Sequence, residues 1–436
     1  MLVYVLGTSN KAHTDATIAN LSHIAPEWSV QLVHDYAAET LNEHLHAYDQ
    51  PFFITLQAGD LLHSGFLTEL SEHLTALPEQ CAGLVYERGT PAARHNLPSP
   101  PLVWRTNAAR SSGRPFFSEK DRLPFETYLL MDKVLQLQGA WSWPTIISLW
   151  WQPQAIHYPK WQRKQEEWDL VRPILEAGLA ASRPKEEPSP AISIVICTFN
   201  NADYLLWSIR SVLAQSIPDW ELIIIDDASS DNTKMKLASL PADPRIRMYT
   251  NPANYGKARS LNTALTLTRT PWLLELDADD WLPPDAVRIL LSAANTAAPE
   301  TSLLYGDYYE WTEGARKQLI FGGIRQTPAQ VYPEALLAEA LPIAPRCYRV
   351  AALQGIQGWM VNAPYEGRLY EDFEIIIRLS RSYALRHLSE PLYHRRIRNS
   401  SITHQHAEKY ADWMKWIKKE HTVLPQGDGG DSRPST

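Results

Sequence analysis

The sequence predicts an α/β fold with a mostly parallel sheet, and three observations support this. Beyond residue 191, apolar segments of strand length alternate with segments whose apolar residues recur at helical spacing. Such alternation implies right-handed crossovers between parallel strands. Several predicted strands end in polar residues, and the stretch "SRPKEEPSPA" at 182–191, rich in proline and charge, reads as a linker after an N-terminal half.

The composition is that of an ordinary globular protein. The chain has 436 residues, 44% of them hydrophobic and 21% charged, which is enough for two or three domains. A net charge of −8 without a long basic run argues against a nucleic-acid partner. The three cysteines (Cys81, Cys197 and Cys347) are expected to be reduced core residues. No apolar stretch approaches the ~20 residues that cross a bilayer.

The first residues, "MLVYVLGTSN", have no charged leader before their apolar part, so we predict a first strand there. Together with the cysteines, this leads us to expect a cytoplasmic protein.

The elements predicted after the linker are, in order, the strand "AISIVICTFN", the helix "ADYLLWSIRSVLAQ", the strands "WELIIIDD" and "RIRMYTN", the helix "GKARSLNTALTLT" and the strand "WLLELDADD". In parallel sheets, ligands bind beyond the carboxyl ends of the strands. The polar residues at three strand ends should therefore converge, namely Thr198 with Asn200, Asp226 with Asp227, and Asp277 with Asp279.

The aspartates in "LLELDADDWLPPDAV" at 273–287 need a physical reason, because clustered carboxylates repel one another and are costly to desolvate. One of them, such as Asp280, could cap the helix that follows. Capping does not explain Asp277 and Asp279, which stand two residues apart and could face a divalent metal. The motif alone leaves a capping or turn role and a metal site both open.

Two familiar phosphate-binding motifs are missing. The loop after the first strand of this half, "CTFNNADY", has no glycine, whereas a dinucleotide site needs glycines there so that the backbone can approach the pyrophosphate. The chain also lacks the GxxxxGK[ST] pattern of nucleotide triphosphate hydrolases.

Four blocks, taken in order, resemble the family 2 glycosyltransferases of the GT-A fold. They are "SIVICTFNNADYLLWSIRSVLAQSIPDWELIIIDDASSDNT", "NPANYGKARSLNTAL", "LELDADDWLPPDAV" and "EDFEIIIRL", and the resemblance covers residues 191–404. It implies a catalytic GT-A domain, a Rossmann-like nucleotide-diphospho-sugar transferase fold, at 192–404. The expected partners are a nucleotide-sugar donor and a glycan or lipid-linked acceptor, in cell-surface polysaccharide or glycoconjugate synthesis.

The resemblance assigns the donor site to Thr198, Phe199, Asn200, Asp227, Lys257, Arg259 and Asp277. Asp227 matches the aspartate that reads the nucleotide base. Because a carboxylate accepts the ring N–H of uracil or thymine, UDP- or dTDP-sugars are favoured. Lys257 and Arg259 match a segment near the base and phosphates, where their charge would offset the diphosphate.

The resemblance also implies a metal ion and a base. Asp277 and Asp279 match the DxD motif that binds Mn²⁺ or Mg²⁺, and hard oxygen ligands suit these ions. Asp372 matches the catalytic base of an inverting transfer, in which it takes the proton of the acceptor hydroxyl. Glu371 is expected to orient the loop, and Arg396 could reach the diphosphate or be an ordinary strand residue.

The N-terminal half reads as a degenerate copy of the same domain. The segment at 50–70 lies over 270–290 and the segment at 25–41 lies over 217–233, with the blocks in the same order. In this alignment Gln57, Gly59 and Pro124 replace Asp277, Asp279 and Asp372, while Asp35 stands opposite Asp227. We therefore expect two tandem GT-A domains, a degenerate one at 1–180 and the catalytic one, joined by a linker at 181–191.

Residues 405–436 are expected to form a C-terminal helix and a disordered tail. "HAEKYADWMKWIKKEH" has apolar residues at helical spacing with lysines opposite, so it could dock on the core or make peripheral contact with an anionic membrane at its inner face. An inactive sugar- or nucleotide-binding pseudoenzyme is the alternative function. The intact set of Asp277, Asp279 and Asp372 argues against it.

Overall fold

The computed structural model describes residues 1–34, 37–88, 100–111, 116–118, 123–154, 158–177, 189–240, 242–314, 319–339, 341–398 and 407–422. Most of the predicted linker, Asp35 and the tail beyond residue 422 lie outside these ranges. The chain groups into two compact units. The first comprises residues 1–181 with 209–214 and 314–321, and the second comprises 182–208, 215–313 and 322–436.

The N-terminal half contains eight strands and six helices among its described residues. The strands are β1 (Leu2–Leu6), β2 (Ser29–Val33), β3 (Phe52–Gln57), β4 (Leu61–Leu62), β5 (Gly83–Arg88), β6 (Pro101–Arg105), β7 (Thr145–Ser148) and β8 (Trp151–Gln152). The helices are α1 (Lys11–Ile24), α2 (Ala38–Ala47), α3 (Phe66–Ala76), α4 (Thr106–Arg110), α5 (Leu129–Leu137) and α6 (Tyr158–Ala177). The predicted first strand at the N-terminus is confirmed as β1.

Six of these strands form one sheet in the order β2-β1-β3-β6-β5-β7, and β4 pairs with β8 separately. β1 is parallel to both of its neighbours, β6 is antiparallel to β3 and to β5, and β7 is parallel to β5. One apolar cluster of this sheet includes Val3, Ile54, Leu56 and Phe66, all at most 1% exposed.

The second half contributes eight further strands and eight helices among the described residues. The strands are β9 (Ile192–Thr198), β10 (Trp220–Asp226), β11 (Ile246–Thr250), β12 (Trp272–Glu275), β13 (Thr301–Glu313), β14 (Leu319–Arg325), β15 (Arg346–Arg349) and β16 (Ala384–Ile397). The helices are α7 (Ala202–Leu213), α8 (Thr233–Ala238), α9 (Lys257–Leu267), α10 (Ala286–Asn295), α11 (Pro333–Glu339), α12 (Val350–Gly355), α13 (Glu371–Ser382) and α14 (Ala407–Thr422).

These strands form an eight-stranded sheet in the order β11-β10-β9-β12-β15-β13-β14, with β16 paired to β13. β11, β10, β9 and β12 are mutually parallel, and β15 is antiparallel to its neighbours β12 and β13. The predicted strand and helix alternation is confirmed from β9 to α10. The mixed α/β fold predicted from the sequence is therefore confirmed, with two parallel-rich sheets.

The two sheets share one strand order. The path β2-β1-β3-β6-β5-β7 corresponds to β10-β9-β12-β15-β13-β16, and each of the five neighbouring pairs has the same relative direction in both sheets. In the block alignment, β3 also lies over β12 and β2 over β10. Descent of the first sheet from a duplicated domain nevertheless stays a prediction.

Helix α14 docks on the core of the second unit. Trp413 and Ile417 are 0% exposed and belong to the same apolar cluster as Val195, Leu261 and Leu273. The apolar face of the helix is therefore buried in protein, which supports the docking alternative over membrane contact. Within the described residues, no helix is long and apolar enough to cross a membrane.

The three cysteines form no disulfide, as predicted. Cys81 and Cys347 are buried, and Cys197, at the end of β9, is partly buried. Burial raises the pKa of the Cys347 thiol far above its ordinary value. Burial also raises the pKa of Cys197, although Lys257 opposes the shift.

Candidate active site

The candidate site lies at the carboxyl end of β12. Glu275 is the last residue of this strand and is only 2% exposed, and Asp277 follows just beyond it. The amide of Leu276 still donates to the carbonyl of Val195, 2.9 Å away, so the chain remains held against β9 up to this point. Two carboxylates at the end of a buried strand require compensating charge.

Lys257, the first residue of α9, supplies part of that charge. Its Nζ lies 2.6 Å from Asp277 Oδ1, 3.0 Å from Glu275 Oε1 and 3.2 Å from Glu371 Oε1. Burial opposes ionisation, but the three carboxylates outweigh it and hold the pKa of Lys257 well above its ordinary value. One ammonium group thus joins the start of α9, the end of β12 and the start of α13.

Arg346, the first residue of β15, supplies the second cation. Its Nε and Nη2 donate to the two carboxylate oxygens of Glu275 at 3.0 and 2.9 Å, and Nη2 also lies 2.9 Å from Asp277 Oδ2. Such bidentate pairs fix the orientation of both groups. Because the Glu275–Arg346 pair is nearly inaccessible to solvent, it holds the guanidinium rigidly beside Asp277.

Asp277 is therefore paired on both of its oxygens. Burial alone would raise its pKa, but Lys257 and Arg346 together hold the pKa of Asp277 well below its usual range. The backbone N–H of Asp277 also donates to the Tyr393 hydroxyl at 3.1 Å. Asp277 is thus ionised and fixed in place by neighbours on α9, β15 and β16.

Asp279 and Asp280 have different partners. Asp279 Oδ2 lies 2.5 Å from the guanidinium of Arg398, just after β16. Asp280 is buried and accepts the amide of Arg396 at 2.7 Å; burial first, then the charges of Asp279 and Asp277, raise its pKa. The possibility that Asp280 caps the next helix is wrong, because its carboxylate bonds to β16 and α10 begins only after Asp285.

The side chains that could coordinate a metal show whether a Mn²⁺ or Mg²⁺ ion fits this site. Within the described part of the chain, no three His, Cys, Asp or Glu side chains are grouped to hold a metal by themselves. Asp277 is taken up by two cations, whereas Asp279 is 18% exposed and has one cationic partner at the surface. The residues therefore fit an ion bound by Asp279 together with substrate phosphates, which is a usual coordination for Mg²⁺.

Asp227 holds the loop between β11 and α9. Its Oδ1 accepts the side chain of Asn251 at 2.7 Å and the amide of Tyr255 at 2.9 Å, and its Oδ2 accepts the amide of Gly256 at 2.7 Å. Gly256 has φ +88°, which favours glycine, and a Cβ there would lie 2.7 Å from the Arg368 side chain. Since a carboxylate oxygen accepts two hydrogen bonds, Oδ2 keeps the capacity for one more.

The three residues at the end of β9 differ in what they offer a ligand. Thr198 is 2% exposed, and its hydroxyl has no hydrogen-bond partner among the described residues, whereas the Phe199 ring is 45% exposed. Asn200 has φ +53°, and its side-chain oxygen accepts the amide of Ser230 at 2.8 Å. Asn200 therefore ties two loops together, while the Phe199 side chain is exposed to a ligand and the Thr198 hydroxyl is enclosed.

Asp372 lies in the first turn of α13. It is half-buried, and its Oδ1 accepts the amide of Phe373 at 2.9 Å. Its charge acts on Arg346, so it belongs to the same electrostatic site as Asp277. Burial raises the pKa of the neighbouring Glu371 to about 7, and Lys257 only partly opposes this. Asp372 also heads a helix whose dipole favours a negative charge at this end.

The structure thus joins Asp277 and Lys257 in one ion network, with Asp372 next to its member Glu371, and puts Arg259 on another face of α9. Lys257 and Arg259 stand two residues apart on α9, which is roughly 200° around a helix. Arg259 lines a shallow pocket with Asn262 and Thr263, so it does not share the surroundings of Lys257. That both cations serve the base and phosphates of the donor stays a prediction.

Sequence reasoning missed three charged residues of the site: Glu275, Arg346 and Arg398. Glu275 did carry a signal, because a carboxylate inside an otherwise apolar strand must have a buried partner. Nothing in the sequence near Arg346 or Arg398 indicates that they reach Asp277 and Asp279, since both contacts depend on how β15 and β16 pair in the sheet.

Comparison with known proteins identifies relatives for part of the chain. Residues 193–350 match the family model described as Glycosyl transferase family 2. The Succinoglycan biosynthesis protein ExoO of Rhizobium meliloti is 31% identical over 120 residues, which are 28% of this chain and 34% of that protein. UDP-Glc:alpha-D-GlcNAc-diphosphoundecaprenol beta-1,3-glucosyltransferase WfgD of Escherichia coli is 35% identical over 118 residues, 27% of this chain and 45% of that protein.

Among solved structures, S. aureus TarS in complex with UDP aligns over 54% of this chain and 67% of its own, with 17% identity and a TM-score of 0.41. The chain spans less than half the length of the two curated relatives. The family match extends from β9 to β15, so Asp372, β16 and α14 lie beyond it.

Proposed function

We propose, on the premise that residues 193–350 form a glycosyl transferase family 2 domain, that this chain is an inverting glycosyltransferase. It moves a sugar from a nucleotide-sugar, UDP- or dTDP-linked, to a hydroxyl of a glycan or lipid-linked acceptor in cell-surface polysaccharide or glycoconjugate synthesis. The observation that carries this proposal is the ion network in which Lys257 joins Asp277 to Glu371, the residue beside Asp372.

The donor would bind across the ends of β9, β10 and β12. The exposed Phe199 ring can contact the base, and the remaining acceptor position of Asp227 can accept a hydrogen bond from it. Thr198, whose buried hydroxyl has no partner among the described residues, would line the same pocket. Asn200 supports this region by fixing its loops. The name of the E. coli relative contains UDP-Glc and a diphosphoundecaprenol acceptor, which supports a UDP-linked donor and a lipid-linked acceptor here.

Asp279 would hold a Mn²⁺ or Mg²⁺ ion together with the donor phosphates, and the bound ion would offset the charge of the departing nucleotide diphosphate. Asp277 is the fixed neighbour of that position and can contact the ribose or the ion. Lys257 and Arg346 keep Asp277 ionised and immobile, so the carboxylate needs no reorganisation when donor binds. Arg259 stays a proposed donor contact, on a different face of α9 from Lys257.

Asp372 would act as the general base. It accepts the proton of the acceptor hydroxyl while that oxygen attacks the anomeric carbon from the side opposite the leaving group, so the stereocentre inverts. A half-buried carboxylate beside a cationic network suits this role, because part of the side chain stays accessible to an acceptor.

We further propose the domain roles expected from the sequence, with catalysis at 192–404 and a degenerate GT-A-like domain at 1–180 that binds no donor. Gln57 and Gly59 at the end of β3 offer no carboxylate for a dication, and Pro124 offers no proton acceptor. The strand order common to both sheets supports the duplication.

The test of this function is Asp372→Asn, assayed with UDP-, dTDP-, GDP- and CDP-sugars in the presence of Mn²⁺. Donor affinity measured by calorimetry should stay unchanged, while turnover should fall by roughly 10²–10⁴-fold, the usual contribution of a general base. Asp412→Asn is the matched control. It makes the same chemical change on an exposed helix face, where 72% of the Asp412 side chain is accessible.

Wild-type turnover in Asp372→Asn would show that the base is another group. Donor binding by the wild-type protein without turnover of any of the four donors would instead support the alternative of a sugar- or nucleotide-binding pseudoenzyme.

A further inference from the structure

The chain enters α13 through a strained residue. Tyr370, which precedes the helix, has φ +62° and ψ +23°, in the left-handed region. An aromatic residue rarely adopts this conformation, and it persists only when its surroundings impose it. Because Asp372 follows just two residues later, the conformation of Tyr370 sets the direction in which the carboxylate emerges.

Part of the surroundings of Tyr370 comes from the C-terminal helix. The Tyr370 ring lies 5.2 Å from the ring of Tyr410 and 5.2 Å from that of Trp413, both on α14. Phe373, on the other side of Asp372, contacts the same two rings at 6.1 and 6.2 Å. Tyr410 and Trp413 of α14 therefore contact the residues on both sides of Asp372 in the sequence, Tyr370 and Phe373.

Helix α14 is itself anchored. Trp413 is fully buried, and the Tyr410 hydroxyl donates to the carbonyl of Leu337 in α11 at 2.7 Å. Lys409 lies 5.3 Å from the ring of Tyr365, in the loop that leads to Tyr370. Because α14 is held in place by these contacts, its rings can fix the position of the residues at the start of α13.

We propose that Tyr410 and Trp413 are positioning residues for Asp372, so that the C-terminal helix, outside the family match, is part of the catalytic machinery. The proposal rests on the proposed function for the role of Asp372. The ring contacts of Tyr410 and Trp413 with Tyr370 and Phe373 lie on either side of Asp372, so their loss should affect the base more than the donor region.

The experiment compares Trp413→Ala with Trp416→Ala in the full chain. Trp416 lies on the same helix and has a ring contact with Trp413 at 6.4 Å, so its removal tests the loss of an indole as such. In Trp413→Ala, kcat should fall by about 10²-fold, the effect of a small misplacement of a reacting group, while donor affinity should change much less. Trp416→Ala should keep most of the wild-type kcat.

Trp413 is fully buried, so its replacement by alanine could prevent folding. A second, milder pair of variants therefore tests the same contact. Tyr410→Leu removes the ring next to Tyr370, whereas Tyr410→Phe keeps the ring and loses only the hydroxyl. Tyr410→Leu should lower kcat, and Tyr410→Phe, which loses only the anchoring bond to Leu337, should lower it less. Equal kcat values in these two variants would overturn the proposal, as would an equal loss in Trp413→Ala and Trp416→Ala.

A readout that does not depend on catalysis separates this inference from the proposed function. Amide hydrogen exchange of residues 371–376 should be faster in Trp413→Ala and Tyr410→Leu than in Trp416→Ala and Tyr410→Phe. Unchanged exchange there refutes the positioning role. Absence of transfer by the wild-type protein, with the expected exchange pattern, refutes the proposed function and leaves the structural coupling established.

Discussion

Substitution of Lys257 by methionine should destabilise the second unit by about 2–3 kcal/mol at pH 7. The ammonium contacts three carboxylates at 2.6, 3.0 and 3.2 Å, and its removal leaves Glu275, Asp277 and Glu371 with Arg346 as the remaining cation of the network. Breaking a buried ion pair typically costs about 3–5 kcal/mol. Since the Lys257 side chain keeps 30% of its surface exposed, solvent screening reduces that figure.

The loss should also depend on pH, through Glu371. In the wild-type fold the pKa of Glu371 is raised to about 7, above its ordinary value. A carboxyl group with a raised pKa favours the folded state below its ordinary pKa, and this contribution is lost as pH rises through the folded value. Without Lys257 the pKa of Glu371 rises further. The variant should therefore lose about 1 kcal/mol more at pH 8 than at pH 6.

Native-state hydrogen exchange of the α9 and α13 amides measures the free energy of unfolding for this unit alone. Lys415→Met is the control, because it removes the same charge from an exposed pair with Asp412, where 79% of the lysine side chain is accessible. Its effect should stay within about 0.5 kcal/mol. Equal effects of the two variants, or a loss in Lys257→Met that does not grow between pH 6 and pH 8, would refute the reasoning.

Two further variants probe the remaining assignments. Asp279→Ala should abolish metal-dependent donor binding while the fold is retained, because the ion pair of this carboxylate in the described structure is with Arg398 alone; turnover that remains complete and sensitive to EDTA contradicts the metal assignment. Asp227→Asn should destabilise the loop at 251–256 by about 1–3 kcal/mol, since an amide cannot accept all three hydrogen bonds that the carboxylate accepts. Exchange of the Tyr255 and Gly256 amides measures this loss, and unchanged protection would show that the loop does not depend on Asp227.

The fold was largely predictable from local patterns. The strands around Ile194, Ile224 and Leu273 are continuous apolar segments, and the helices between them have regular apolar spacing, so both could be recognised one element at a time. The polar strand ends also indicated the edge of the sheet at which Lys257 and Asp277 meet. These predictions succeeded because each depends on residues that are close in sequence.

The detailed site depends on contacts between distant residues and was only partly predictable. Arg346 reaches Asp277 because β15 runs antiparallel to β12, with Glu275 and Arg346 opposite one another in register. That register follows from the whole sheet and from no local motif. Likewise, the sequence motif around Asp227 suggests a ligand contact, while three hydrogen bonds from residues 251–256 give the same carboxylate a structural role.

The buried thiols have a practical consequence for spectroscopy. Maleimides react with the thiolate, and burial disfavours that form at Cys197 and Cys347, while Cys81 is enclosed in the first unit. A single cysteine introduced at Lys415, on the exposed face of α14, should therefore be labelled selectively with the native residues left in place. A fluorophore or spin label at that position would then report in real time whether α14 remains packed against the core when donor and acceptor bind.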